Sequence, residues 1–336
     1  MRIIAIEEHF STPNFREKAK VNEAKSFYIT SRSGALGHDI GRELDDLGTS
    51  RLAHMEATGI DFQVLSFHQP IPSSFTPDEA VATARDLNDG LAAATRWHPD
   101  RFAGFAALPT AMPEAAADEL ERSVTELGLV GAMVHGHTGG RFLDDKEFWP
   151  IFARAETLGV PIFLHPALPH PGALKAYFEG YEDIMARPGW GFAVDTSIHF
   201  LRILFAGVFD AYPKLQLILG HLGEGLPFAM HRLNDHTHLA ARRRGLARTP
   251  LDYIRDNLYV TTSGNWYEPA FVCTLLALGA DRILWAIDWP YEANRTGMAF
   301  WNEIELGGAD RAKIAHENAE RLLGLAPGVA AERRIR

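Results

Sequence analysis

Eight short apolar runs of β type are strung along the 336-residue chain, each separated from the next by a longer segment, most with helical spacing. The runs are Ile3–Ile6, Gln63–Phe67, Phe102–Ala107, Gly131–His135, Pro161–His165, Leu215–Gly220, Leu258–Thr262 and Ile283–Ile287. Between them, Pro77–Thr95, Pro113–Leu127, Glu147–Leu158, Ser197–Ala211, Glu268–Leu278 and Ala309–Leu323 repeat apolar residues at helical spacing. Several open on a Ser, Thr or Pro start signal, as in Thr76-Pro77-Asp78-Glu79. Strands that alternate with helices pair in parallel, because parallel neighbours need crossover connections. Eight such units predict an α/β fold closed as a (β/α)8 TIM barrel, for which about 250 residues is typical. The surplus falls in two long loops, Glu17–Leu47 after strand 1 and Ala167–Asp195 after strand 5, a length usual for lids and substrate walls. An open doubly wound sheet would carry a glycine-rich phosphate loop after strand 1, and none follows Ile6. No composition break or internal repeat divides the chain, so residues 1–336 are expected to form a single barrel domain.

Composition removes several classes of function. A net charge of −10 argues against a nucleic-acid binder, which would present a basic stripe. The short clusters Arg242-Arg243-Arg244 and Arg333-Arg334 read as solvated faces. Cys273 is the only cysteine, so no intrachain disulfide can form. The chain opens directly on a strand with no signal-peptide pattern, and no apolar run approaches the roughly 20 residues of a membrane span. A cytoplasmic enzyme without a membrane partner is the expectation.

The barrel reading makes a geometric demand that the ligand-type residues meet. Active sites of such barrels lie at the C-terminal ends of the strands. Glu7 and His9 close strand 1 and share a face, since residues i and i+2 of a strand point the same way. His165 closes strand 5, His221 strand 6 and Asp288 strand 8. Each alone is more often a packing or turn residue than a ligand. Closure of the barrel would bring all five to one rim, where oxygen and nitrogen donors can converge on a cation.

Glu7-x-His9, Leu143-Asp144-Asp145, Leu164-His165-Pro166, Gly220-His221-Leu222-Gly223-Glu224, Thr261-Thr262-Ser263-Gly264 and Asp288-Trp289-Pro290 resemble the amidohydrolase superfamily. More narrowly they resemble its non-oxidative aromatic-acid decarboxylases, the γ-resorcylate and 2,3-dihydroxybenzoate decarboxylases. Hydrolytic members usually carry His-x-His in strand 1, and Glu7-x-His9 is similar to the phenolic-acid decarboxylase variant. The resemblance spans residue 1 to about 325. It implies one divalent metal ion per chain, Zn2+ or Mn2+, held by Glu7, His9, His165 and Asp288. It further implies a catalytic His221 paired with Glu224, and a homodimer or homotetramer in which Arg232 reaches a neighbouring subunit's site.

That ligand set suits decarboxylation of a hydroxybenzoate-type acid. Direct loss of CO2 would leave an aryl anion, so a proton must reach the ring carbon first, and Asp288 is the expected donor. A divalent cation would chelate a phenolate and a carboxylate oxygen together. The same residues also support a hydrolase acting on an ester, lactone or amide, with Asp288 as general base to a metal-activated water. A barrel that binds a small acid without turnover is the third and weakest reading.

Overall fold

The computed structural model describes residues 1–15, 23–72 and 74–326. Arg333-Arg334 and the beginning of the Glu17–Leu47 segment lie outside these residues. Strands β1 (Ile4–Phe10), β2 (Phe62–Phe67), β3 (Phe102–Ala107), β4 (Ala132–His135), β5 (Ile162–His165), β6 (Leu217–Leu219), β7 (Leu258–Thr261) and β8 (Ile283–Leu284) form one sheet in sequence order. Every neighbouring pair is parallel. The last strand returns to the first: Ile6 N–H donates to the Trp285 carbonyl at 3.2 Å and His9 N–H to that of Trp289 at 2.6 Å. This is the (β/α)8 TIM barrel that the alternation predicts.

Two apolar layers hold it together. Ile4, Ile6, Val64, Phe105, Met133, Phe163, Ile218 and Leu284 pack in one buried cluster inside the barrel. Alternate strand residues such as Ile3, Ala5, Leu65, Phe67, Leu164 and Leu219 pack outward against the helices. The helix Pro77–Trp97 begins on a reciprocal cap, Thr76 Oγ accepting from Glu79 N–H while the Glu79 carboxylate accepts from Thr76 N–H at 2.8 Å.

Three elements depart from the expected bounds. The segment after β1 carries helices Glu23–Leu36 and Ile40–Asp45 where irregular loop is predicted. The segment after β5 contains a helical turn, Pro171–Ala173, and the helix beyond it starts at Gly191 instead of Ser197. Strand β8 stops at Leu284 instead of Ile287, because side chains replace carbonyls as acceptors there. Ala286 N–H donates to Thr262 Oγ at 3.0 Å and Ile287 N–H to the Glu8 carboxylate at 2.9 Å.

Candidate metal centre

The site is set by an irregularity in β1. Ala5 is level with Gln63 of β2, but Glu8 is level with Leu65, so β1 spends three steps where β2 spends two. Such a bulge reverses which face later residues occupy. Ile4 and Ile6 point into the barrel. Unbroken alternation would then send Glu8 inward and Glu7 and His9 outward. With the extra residue, Glu7 and His9 face the interior and Glu8 faces out, level with outward-packed Leu65.

One donor atom each from Glu7, His9, His165 and Asp288 lies within 4.8 Å of all the others. His9 Nε2 is 3.1 Å from Asp288 Oδ1, and His165 Nε2 is 3.4 Å from Glu7 Oε1. The far side of each of the first three ligands is occupied. His9 Nδ1 meets Ser66 Oγ at 3.0 Å, and His165 Nδ1 donates to the Pro166 carbonyl at 2.8 Å. Thr261 Oγ donates to Glu7 Oε2 at 2.7 Å, and Ser263 Oγ donates to the same oxygen. These contacts turn both Nε2 atoms and Glu7 Oε1 toward the centre, as partners of metal ligands do.

Four buried polar atoms then stand without a hydrogen-bond partner: Glu7 Oε1, His9 Nε2, His165 Nε2 and Asp288 Oδ1. Buried polar atoms are nearly always satisfied, so four orphans facing one another call for a common partner. Two carboxylate oxygens and two imidazole nitrogens fit a divalent cation of the Mn2+ or Zn2+ kind. Burial, with help from His9, holds the His165 pKa down to about 3, so it is a neutral nitrogen donor. Burial pushes the Asp288 carboxyl up, but His221 and His9 outweigh it and hold the group well below the usual range. Burial raises the Glu7 carboxyl despite His221 nearby; a bound cation would act in the opposite sense.

His221 stands beside the four. Its Nε2 is 3.8 Å from Glu7 Oε1 and 3.8 Å from Asp288 Oδ2, and its Nδ1 is 2.7 Å from the Glu224 carboxylate. Burial disfavours its charged form, but Glu224 and Glu7 overcome this and raise its pKa well above the ordinary value. The turn that carries the pair is unusual: His221, Leu222 and Glu224 have φ of 51°, 59° and 54°, and Asp288 has 77°. Non-glycine residues seldom adopt such φ, and they concentrate at functional sites. Gly220 precedes this turn because a Cβ there would lie 3.0 Å from Glu7 Oε1.

Arg232 does not join the cluster; it is exposed on the outer helix Leu226–Arg243. Further aromatic and imidazole side chains gather around the Asp288 loop. Tyr291 hydroxyl pairs with His68 Nδ1 at 2.7 Å, and its ring lies 5.9 Å from that of His9. Trp289 is buried, stacked at 4.6 Å on His38, whose Nε2 meets the Pro290 carbonyl at 2.8 Å. The His54 ring lies 4.6 Å from that of Trp289 as well, so His38 and His54 both have a partner beyond β8 that the sequence alone does not reveal. His199, likewise without a visible partner in the sequence, accepts Leu143 N–H at 2.8 Å.

The amidohydrolase family matches residues 31–325. A γ-resorcylate decarboxylase of Rhizobium radiobacter is 37% identical over 96% of this chain and 98% of its own. A dihydroxybenzoic acid decarboxylase of Polaromonas, solved with bound manganese and the inhibitor 2-nitroresorcinol, superposes with a TM-score of 0.87 at 36% identity, covering 97% of this chain and 98% of the other. A 2,6-dihydroxybenzoate decarboxylase solved with 2,6-dihydroxybenzoate gives 0.86 at 36% identity, over 97% and 100% of the two chains. With the barrel and its metal-binding cluster, these matches establish that the chain belongs to the amidohydrolase family, in its branch of metal-dependent aromatic-acid decarboxylases.

Proposed function

We propose that this protein removes CO2 from a hydroxybenzoate-type aromatic acid without redox chemistry, using one divalent cation held by Glu7, His9, His165 and Asp288. The observation that carries the reading is the set of four unpartnered donor atoms within 4.8 Å of one another. Manganese is the first choice, since the Polaromonas relative holds it; Zn2+ suits the same donors.

A cation bound there supplies Lewis acidity and a template for a phenolate oxygen and the adjacent carboxylate oxygen. The protein's own groups do the rest. Asp288, kept ionised by His221 and His9, takes the phenolic proton as substrate binds. It then gives that proton to the ring carbon bearing the carboxylate. The ring–carboxylate bond breaks next, its electron pair restores the aromatic ring, and CO2 leaves. His221, charged opposite Glu224, offers Nε2 as a cationic hydrogen-bond donor to the substrate's developing negative charge.

Arg232 acts from a neighbouring subunit. It shares a face of its helix with exposed Phe228 and Leu239, and the adjoining helix Glu268–Leu278 exposes Leu276. Large apolar side chains around an arginine support a subunit contact there, as a homodimer or homotetramer would form. A panel of hydroxybenzoates, esters and lactones tests the whole reading. CO2 release from a 2-hydroxybenzoate supports it; Asp288-dependent cleavage of an ester or lactone, with no CO2 from any acid, would replace it with the hydrolase.

A further inference from the structure

Glu8 lies between two of the metal-cluster residues in sequence and points away from them. It is fully buried on the outer side of the barrel wall. Its two carboxylate oxygens divide their work: Oε1 accepts Ile287 N–H at 2.9 Å and Oε2 accepts Trp289 N–H at 3.3 Å. Those two amides flank Asp288. Along this seam the backbone pairing is interrupted, for Ile6 meets Trp285 and His9 meets Trp289, with nothing regular between. Over the same stretch Asp288 adopts φ of 77°. The Glu8 side chain thus stands in for the missing strand carbonyls where the chain turns to present Asp288.

The carboxylate is held in turn. Gln63 Nε2 donates to Glu8 Oε2 at 3.3 Å, and the buried Arg51 donates to Gln63 Oε1 at 3.3 Å and to the His9 carbonyl at 2.6 Å. Arg51 therefore braces both the Glu8 side chain, through Gln63, and the backbone of a metal-cluster residue. The β1 bulge makes this division possible, sending Glu7 and His9 inward and Glu8 toward Gln63.

We infer that Glu8 is a positioning residue for Asp288: by clamping the amides of Ile287 and Trp289, it fixes the left-handed backbone that turns the Asp288 carboxylate onto the metal cluster. The inference rests on Asp288 as a metal ligand, proposed above. It makes Glu8 part of the metal site without contact to the metal.

Mn2+ binding to the folded full-length protein, followed by the EPR signal of free Mn2+, tests it without relying on turnover. Five proteins are compared: wild type, Glu8→Gln, Glu8→Asp, Asp288→Asn and the double variant Glu8→Gln/Asp288→Asn. Glutamine keeps one acceptor of the two. Aspartate keeps the carboxyl group but is too short to span both amides. Asparagine tolerates the left-handed conformation, so Asp288→Asn leaves the loop in place. Each Glu8 variant is expected to weaken Mn2+ binding about 10-fold, the low end for residues that orient ligands. The double variant is expected to bind like Asp288→Asn alone, because the Glu8 effect passes through Asp288. Additive losses, or wild-type affinity in both folded Glu8 variants while Asp288→Asn binds weakly, would overturn the positioning role alone. Unchanged affinity in Asp288→Asn would overturn the ligand assignment with it. If both Glu8 variants fail to fold while Asp288→Asn folds, Glu8 supports the barrel and not Asp288, and the inference is equally lost.

Discussion

At the scale of single residues, the cluster is defined by which atom each side chain has left over. Ser66 and the Pro166 carbonyl occupy the outer nitrogens of His9 and His165, and Thr261 with Ser263 occupies one oxygen of Glu7. His9→Ala and His165→Ala are therefore expected to remain folded, since the barrel core is elsewhere, but to purify without bound metal; elemental analysis beside circular dichroism checks this. Thr261→Val keeps the shape of the strand and removes one hydroxyl from Glu7. It is expected to lower Mn2+ affinity about 10- to 100-fold with little loss of thermal stability, measured by calorimetric titration. The clustered side chains were legible in the sequence because each closes an apolar run with a ligand-type residue. Thr261 and Ser263 stand in the Thr261-Thr262-Ser263-Gly264 motif, but nothing in the sequence gives their contact with Glu7, and Ser66 is an ordinary strand residue until register places it opposite His9. The pairing of Tyr291 with His68 is made only by the fold.

At the scale of elements, periodicity located all eight strands and missed what happens inside two of them. Period-two reasoning correctly joined Glu7 to His9 on one face. It could not say that this face is the interior, because Ile4 and Ile6 imply the opposite parity until the bulge intervenes. β8 reads longer in the sequence because Trp285, Ala286 and Ile287 continue the apolar run, whereas the Trp285 amide bonds to the Ile314 carbonyl and those of Ala286 and Ile287 bond to the side chains of Thr262 and Glu8. The helix Gly191–Phe205 carries a further consequence. His199 on this helix accepts Leu143 N–H, and burial holds its pKa down to about 3. Unfolded, it would take a proton near pH 6.5, so the unfolded chain binds more protons between about pH 6.5 and 3 and stability falls as pH drops through that window. His199→Asn keeps an acceptor for Leu143 but cannot titrate there. Urea unfolding across pH 4 to 7 is expected to give a shallower slope for this variant, by up to about 1.4 kcal/mol per pH unit; an unchanged slope would place the acid sensitivity elsewhere.

At the scale of the whole molecule, the barrel draws residues separated by most of the chain into one rim, Glu7 beside Asp288 and His165. No helix among the described residues is long and apolar enough to cross a membrane. The exposed arginine and its apolar surroundings lead to a prediction about assembly. Mixed oligomers of Arg232→Ala and Asp288→Asn subunits are expected to recover part of the activity that each lacks alone. Verified mixed oligomers with no recovery would confine Arg232 to its own subunit or exclude it from the site. The central claim, protonation of the ring carbon followed by loss of CO2, has one direct measurement. A 2-hydroxybenzoate that the enzyme consumes is turned over in D2O with Mn2+ present, and the product is read by NMR beside the CO2 released. One deuterium at the vacated ring carbon for each CO2, abolished in Asp288→Asn that still holds metal, is the predicted result. A product with no deuterium there, or full turnover by metal-loaded Asp288→Asn, would contradict it.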